Sequence, residues 1–276
     1  MMRIRYLLCL LGLLFFAYEV SGQVTFAQSA IAMETADAQG RVAIAITLAE
    51  MPGQKFVLEI PELFTSKIGK GEHFNYSKQF WNYRQDGADM KLSDEKYTYE
   101  IHLDKVISKN AIGLKWKITF KNNSEETLED LISFNCWTMN SAPLFKDVSM
   151  KRTYVLDSAG NKITLATVRK TQGSGRRNMQ YYPVAKSKVN LSESPWIRNW
   201  NVISTQGLTG KCISIISTDS KWLFENKVDG KVAFFFNNFE DDHGCVHASP
   251  LLAKKLLPGK TGSASGIFKF TKIKNK

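Results

Sequence analysis

Cysteine and histidine are scarce, four of each in 276 residues. One cysteine, Cys9, falls in the leader discussed below, which leaves Cys136, Cys212 and Cys245. Three thiols spread over so long a chain are no disulfide scaffold, and a chain of this size can bury a large core without staples. They permit one disulfide with one free thiol, or no pairing at all. Beyond the leader there is no long apolar run, so no stable membrane insertion is expected. Blocks of five or six like charges are also missing, and helical periodicity is nearly so.

The chain opens MMRIRYLLCLLGLLFFAYEVSGQ. Arg3 and Arg5 precede an apolar run from Tyr6 to Tyr18, and the small residues Ser21 and Gly22 close it. That is the plan of a secretory signal peptide over 1–22, cleaved before Gln23. The run falls short of the about 20 apolar residues a membrane span needs. A lipoprotein would carry a small residue before Cys9, and Leu8 stands there instead. The expected location is therefore periplasmic or secreted. The mature chain has 35 basic against 25 acidic residues, a formal charge of +10. Nucleic acid is not a partner expected of an exported protein, so the excess reads as surface solvation or as an attraction for acidic or sulfated glycans.

What the sequence does have is alternation. In IGLKWKITF, Ile112, Leu114, Trp116, Ile118 and Phe120 share one side of a strand and Lys115 and Lys117 the other. RVAIAITLAE (41–50), KYTYEIHL (96–103) and SGIFKFTKI (265–273) alternate likewise. VAFFFNN (232–238) is continuously apolar and reads as a strand covered on both faces. RTYVLDSAGNKITLATV reads as a β-hairpin, with Gly160-Asn161 suited to positive φ. One helical turn is expected at SPLLAKKLLPG (249–259), capped by Ser249, opened by Pro250 and stopped by Pro258-Gly259. The fold expected over 23–276 is all-β: a large antiparallel β-sandwich of ten to fourteen strands, as one sandwich or two packed halves with a sub-boundary at 170–201.

Two inserts break the alternation, at 71–91 and at 170–201. Long connections in a compact domain are often functional. The first carries Trp81, Tyr83 and Arg84; the second carries Arg176, Tyr181, Tyr182, Trp196, Arg198 and Trp200. Indole and phenol rings stack on the C–H faces of sugars, and arginine supplies donors to their hydroxyls. The same residue types anchor protein interfaces or cap a core. Convergence of the two inserts at one end of the sandwich would make a carbohydrate site.

The stretch DDHGCVHASP (241–250) gathers two carboxylates, two histidines and a cysteine. His243, Cys245 and His247 alternate as ligands on one face of a strand would, and Asp241 or Asp242 could complete a metal set. Cys245 with His247 also suits a thiolate nucleophile. Against a metal, no second ligand pair is evident, and no cofactor is expected. The better reading is a structural lock, with His247 bonding backbone in a turn before Ser249-Pro250. Asp147 and Arg152 suggest a buried ion pair; an enzyme reading would set Asp147, Arg152, Asp242 and His247 around a cleft.

Three segments resemble a family of exported, β-rich bacterial proteins. They are LKWKITFKNNSEETLEDLISFNCW with the APLFKD and KRTYVLD that follow it, CISIISTDSKWLF, and NNFEDDHGCVHASPLLAKKLLPGK. The last is similar to that family's C-[IV]-H-[AS]-x-P ending with its trailing P-G, except that Ser249 stands where an Asp is expected. The resemblance implies export and one recurring architecture and no particular reaction. Together these readings favour a carbohydrate-binding protein, ahead of a sugar-active hydrolase, lyase or epimerase on the same scaffold, or an interaction protein of the cell envelope.

Overall fold

A computed structural model describes residues 30–37, 42–66, 80–170, 179–185, 203–239 and 244–274. Among them run sixteen strands. The first eight are β1 (Ile31–Asp37), β2 (Val42–Leu48), β3 (Lys55–Thr65), β4 (Asn82–Arg84), β5 (Gly87–Ser93), β6 (Tyr97–Ser108), β7 (Ala111–Asn122) and β8 (Leu128–Thr138). The rest are β9 (Thr153–Asp157), β10 (Lys162–Thr164), β11 (Met179–Pro183), β12 (Leu208–Ile216), β13 (Trp222–Val228), β14 (Val232–Asn238), β15 (Cys245–Leu256) and β16 (Thr261–Lys272).

They form two antiparallel sheets, in the orders β1-β2-β3-β8-β15-β14-β11 and β10-β9-β12-β13-β16-β7-β6-β5-β4. The expected β-sandwich is therefore present, as two large sheets around one apolar core. Alternation in β7 works as its sequence dictates: Ile112, Leu114, Trp116, Ile118 and Phe120 are buried and Lys115 and Lys117 exposed. Core aromatics bind the sheets together. Trp137 of β8 stacks on Phe224 of β13 at 5.1 Å and packs on Phe268 of β16 at 4.8 Å. Phe64 of β3 meets Tyr99 of β6 and Phe120 of β7 edge-on, at 5.4 and 4.8 Å. Rings of this size bury about 150–250 Å² each and dominate the energetics of such a core. The hairpin from Thr153 forms as expected: Leu156 pairs with Lys162, and Gly160 takes a φ of 87°.

The expected helical turn at 249–259 is absent; residues 249–256 are the second half of β15, and a turn follows. Its neighbours β8 and β14 offer ladder partners on both sides, and pairing overrides a marginal helix of one or two turns. Pro250 is tolerated because the register shifts on either side of it, against β14 between Val232 and Phe234 and against β8 between Leu251 and Ala253. The inserts also hold more structure than their composition suggests. The first contains β4 and the start of β5, and the second contains β11, which pairs with β14.

The centre of the seven-stranded sheet is buried on both faces. Every residue of β14 is buried, and all of β8 but its ends. A sheet face turned away from the core is normally solvated and polar. Here that face is buried, and it carries polar side chains.

Candidate functional site

Alternation fixes what that outer face carries. Trp137 points into the core, so Cys136 and Phe134 point outward. On β15, Cys245, His247 and Ser249 lie on the same face, since His247 meets Phe134 and Phe236, and Ser249 pairs with Phe234. Tyr181 of β11 packs on Phe234 at 5.5 Å and Phe236 at 4.6 Å. Glu59 of β3 pairs with Cys136 across the ladder. Glu62 is delivered by a bulge: four residue steps of β3, from Glu59 to Leu63, match two of β8, from Cys136 to Phe134. Bulges of this kind re-aim side chains.

The result is a compact polar cluster in an aromatic frame. His247 is fully buried, with Nε2 3.3 Å from Cys245 Sγ and 3.8 Å from Glu62 Oε2. Phe236 and Phe134 meet its ring edge-on, at 86° and 81°, and hold its orientation. The one ligand atom offered by each of Cys136, Cys245 and His247 lies within 4.8 Å of the other two. The Cys136 thiol lies beside that of Cys245, within 4.8 Å. That contact, aided by His247, holds the Cys245 thiol below its usual value and drives Cys136 well above it. Glu62 is 16% exposed, and the cluster reaches solvent there.

Two hydroxyls complete it. Tyr181 Oη and Ser249 Oγ are buried and have no hydrogen-bond partner among the described residues. Thr65 Oγ1, further along the face, is in the same state. Burial, then the charges of Glu62 and Cys245, hold the Tyr181 phenol well above its usual value, so it stays a neutral donor. Each buried hydroxyl left without a partner costs about 1–3 kcal/mol. Folded proteins leave few such groups, and those that persist call for an explanation.

The residues singled out from sequence are placed as follows. Cys245 and His247 belong to the cluster, on a strand and not in the turn expected of them. Asp242, His243, Arg176, Trp196, Arg198 and Trp200 lie outside the described residues. Asp147 is buried elsewhere, beside β9 of the nine-stranded sheet. It accepts from the Arg152 backbone N–H at 2.7 Å and from the Thr153 hydroxyl at 2.9 Å. Its oxygen lies 3.9 Å from Arg152 Nε, and the Arg152 guanidinium bonds the carbonyls of Leu144, Lys146 and Ile216. The expected ion pair is thus a clamp between a loop and a strand, and it is not brought to His247.

The described loop aromatics do not converge. Tyr83 bonds Thr35 of β1 at one edge of the seven-stranded sheet, while Tyr181 and Tyr182 sit on β11 at the other. Trp81 and Tyr182 are buried, Tyr182 with its hydroxyl on Asn237, so neither ring presents a face for stacking. Arg84 is engaged by Asp86, Asp89 and Asp104, at 2.8, 2.6 and 2.9 Å. Its fork is spent on the protein. Among the described residues Cys136, Cys212 and Cys245 are all unpaired, and Cys212 lies in the nine-stranded sheet with its thiol pushed up to about 12 by burial. On the outside of that sheet a groove of about 460 Å³ is lined by Lys91, Glu100, Lys121 and small hydroxyl residues, with no aromatic.

Sequence reasoning missed Glu59, Glu62 and the place of Cys136 beside His247. A signal was present: KFVLEIPELFT places two acids in an otherwise apolar strand, where a carboxylate is expensive to bury.

No family model matches the chain, and no curated protein does. Among solved structures it is similar to a galactose mutarotase related enzyme from Lactobacillus acidophilus, at 12% identity and a TM-score of 0.36, over 88% of this chain and 98% of that one. It is also similar to galactose 1-epimerase from Lactobacillus acidophilus NCFM, at 10% identity and a TM-score of 0.34, over 88% and 98%. Likeness at this level bears on neither ligand nor reaction.

Proposed function

We propose that the protein is an exported carbohydrate-binding protein, and that the sugar lies on the outer face of the seven-stranded sheet. The observation that carries this is the pair of buried hydroxyls without partners among the described residues, Tyr181 Oη and Ser249 Oγ, on the face that also holds Glu59, Glu62 and His247. A sugar offers hydroxyls that both donate and accept, and it suits a neutral phenol and serine beside carboxylates. Phe134, Phe234 and Phe236 frame these polar groups on the same face. The loops at 71–91 and 170–201 are replaced as the centre of the reading by strands β3, β8, β11 and β15.

The net positive charge favours an acidic or sulfated glycan at long range. At the site itself two carboxylates oppose one, since like charges a few ångströms apart repel. A neutral sugar is the better fit. Export rests on the leader of residues 1–22, with a periplasmic or secreted product.

A second reading, turnover of the sugar, is favoured by the 3.8 Å contact between Glu62 and His247. A carboxylate beside an imidazole is the usual equipment for moving a proton at a sugar oxygen or carbon.

The test is a glycan array on the purified protein with neutral, uronic-acid and sulfated arms, repeated with Tyr181→Phe. Binding in the neutral arm that falls in the variant supports the proposal. No binding by a protein shown to be folded by circular dichroism overturns it.

A further inference from the structure

Sugar binding leaves the two outward-facing thiols without a task. We infer that Cys136, Cys245 and His247 are ligands of a zinc ion.

The sheet itself builds the tripod. Cys245 and His247 are two residues apart on β15 and share a face, and Cys136 faces them from β8. Zinc bound to thiolate at about 2.3 Å and to imidazole at about 2.0 Å needs donor atoms about 3.3–4 Å apart. Cys245 Sγ and His247 Nε2 are 3.3 Å apart, and all three donors fall within 4.8 Å of one another. The aromatic edges of Phe134 and Phe236 already fix the imidazole with Nε2 toward the sulfur. A ligand set locked in advance loses little entropy on binding.

The same register argues against a disulfide. Cys245 pairs with Thr138, so Cys136 stands diagonally from it. Diagonal neighbours are about 7–8 Å apart at Cα, beyond the about 4.4–6.8 Å that a disulfide spans. An ion spans that gap where an S–S bond does not.

The donor set also chooses the metal. Two thiolates exclude magnesium and calcium, which take oxygen. Glu62 Oε2, 3.8 Å from His247 Nε2, puts an oxygen donor at the solvent side of the tripod. Nitrogen, sulfur and oxygen together suit zinc better than monovalent copper. Glu62 or a water takes the fourth position, as in zinc sites that keep one position open for a substrate. With zinc in place His247 Nε2 is a ligand and no longer an acid or base, and Glu62 is the nearest remaining base.

The inference rests on distances among protein atoms and stands apart from the sugar reading. Its test is metal analysis of the protein purified without chelator, followed by cobalt substitution. One zinc per chain and a thiolate-to-cobalt charge-transfer band are expected. Cys136→Ser and Cys245→Ser each abolish the band, and Cys212→Ser keeps it. Failure to bind zinc or cobalt by folded protein with three titratable thiols overturns the inference, as does a Cys136–Cys245 disulfide found by mass spectrometry. Glycan binding is measured on the same samples with and without zinc. Sugar binding without metal, or metal without sugar, separates the two proposals.

Discussion

Glu62 Oε2 and His247 Nε2 lie 3.8 Å apart although their strands, β3 and β15, are not neighbours in the sheet. Between them runs β8, and the contact passes over its outer face at Cys136. Two things make it possible. The bulge between Glu59 and Leu63 pushes Glu62 out of the ladder, and the aromatic edges hold the imidazole across β8. A regular strand with this sequence would send Glu62 into the core with Ile60, where no partner waits. The site is a product of register as much as of composition.

Glu62→Gln tests whether that carboxylate receives a ligand. A hydrogen bond to a charged acceptor is worth about 1.5–3 kcal/mol, so affinity for the sugar identified on the array should fall at least about tenfold. The melting temperature should move little, because Glu62 is the cluster's most exposed member. Isothermal titration calorimetry reads the affinity and scanning calorimetry the melting temperature. Unchanged affinity in Glu62→Gln would remove the carboxylate from the site.

Tyr181→Phe separates function from stability. The phenol oxygen is buried with no partner among the described residues, and deleting it relieves a desolvation cost. The variant is expected to be about 1 kcal/mol more stable in urea denaturation and to bind sugar about tenfold more weakly. A gain of stability together with lost binding is the mark of a group kept for a ligand. A loss of stability would mean that the hydroxyl is satisfied within the protein.

Asp147→Ala should behave in the opposite way. The carboxylate accepts from Arg152 N, Thr153 Oγ1 and Ser149 Oγ, and it sits beside the cationic guanidinium of Arg152. Removing it leaves buried donors unpaired, at about 2–4 kcal/mol. Sugar affinity of the folded fraction should be untouched, since the clamp and the cluster are on different sheets. Sugar binding lost from a variant of normal stability would restore Asp147 to a functional role.

Much of this architecture was legible because period-two patterning depends on local sequence alone. Ile112 to Phe120 reads directly as half of a sheet, and VAFFFNN as a strand buried on both sides. Where pairing decided the outcome, local signals failed. Ser249-Pro250 is a sound helix start, yet β8 and β14 on either side draw the segment into β15. Tyr181 and Tyr182 looked like ring platforms in a polar loop, but their neighbours Met179 to Pro183 complete a ladder with Phe234 to Asn238. Cys245 and His247 were visible as a cluster from the outset. Cys136 and Glu62 join it only through the order β3-β8-β15 and a bulge, and neither leaves a mark at short range in the chain.

Lys170 supplies a pH test of the packing at the far side of β11. Its ammonium bonds Leu165 O at 2.7 Å and lies 5.6 Å from the Tyr182 ring centre. Partial burial brings its pKa down from 10.5 to about 8. Between those two values the unfolded chain holds the proton and the folded one does not, so stability rises as pH increases from about 8 to 10.5. The full shift is reduced by solvent screening of a half-exposed group, to about 1 kcal/mol. Lys170→Met removes the charge and keeps the apolar stem. Urea midpoints for the variant should lose this rise, and at pH 7 the variant should match or exceed the parent protein. An unaltered slope in Lys170→Met would assign the rise to another group and place the Lys170 ammonium in water.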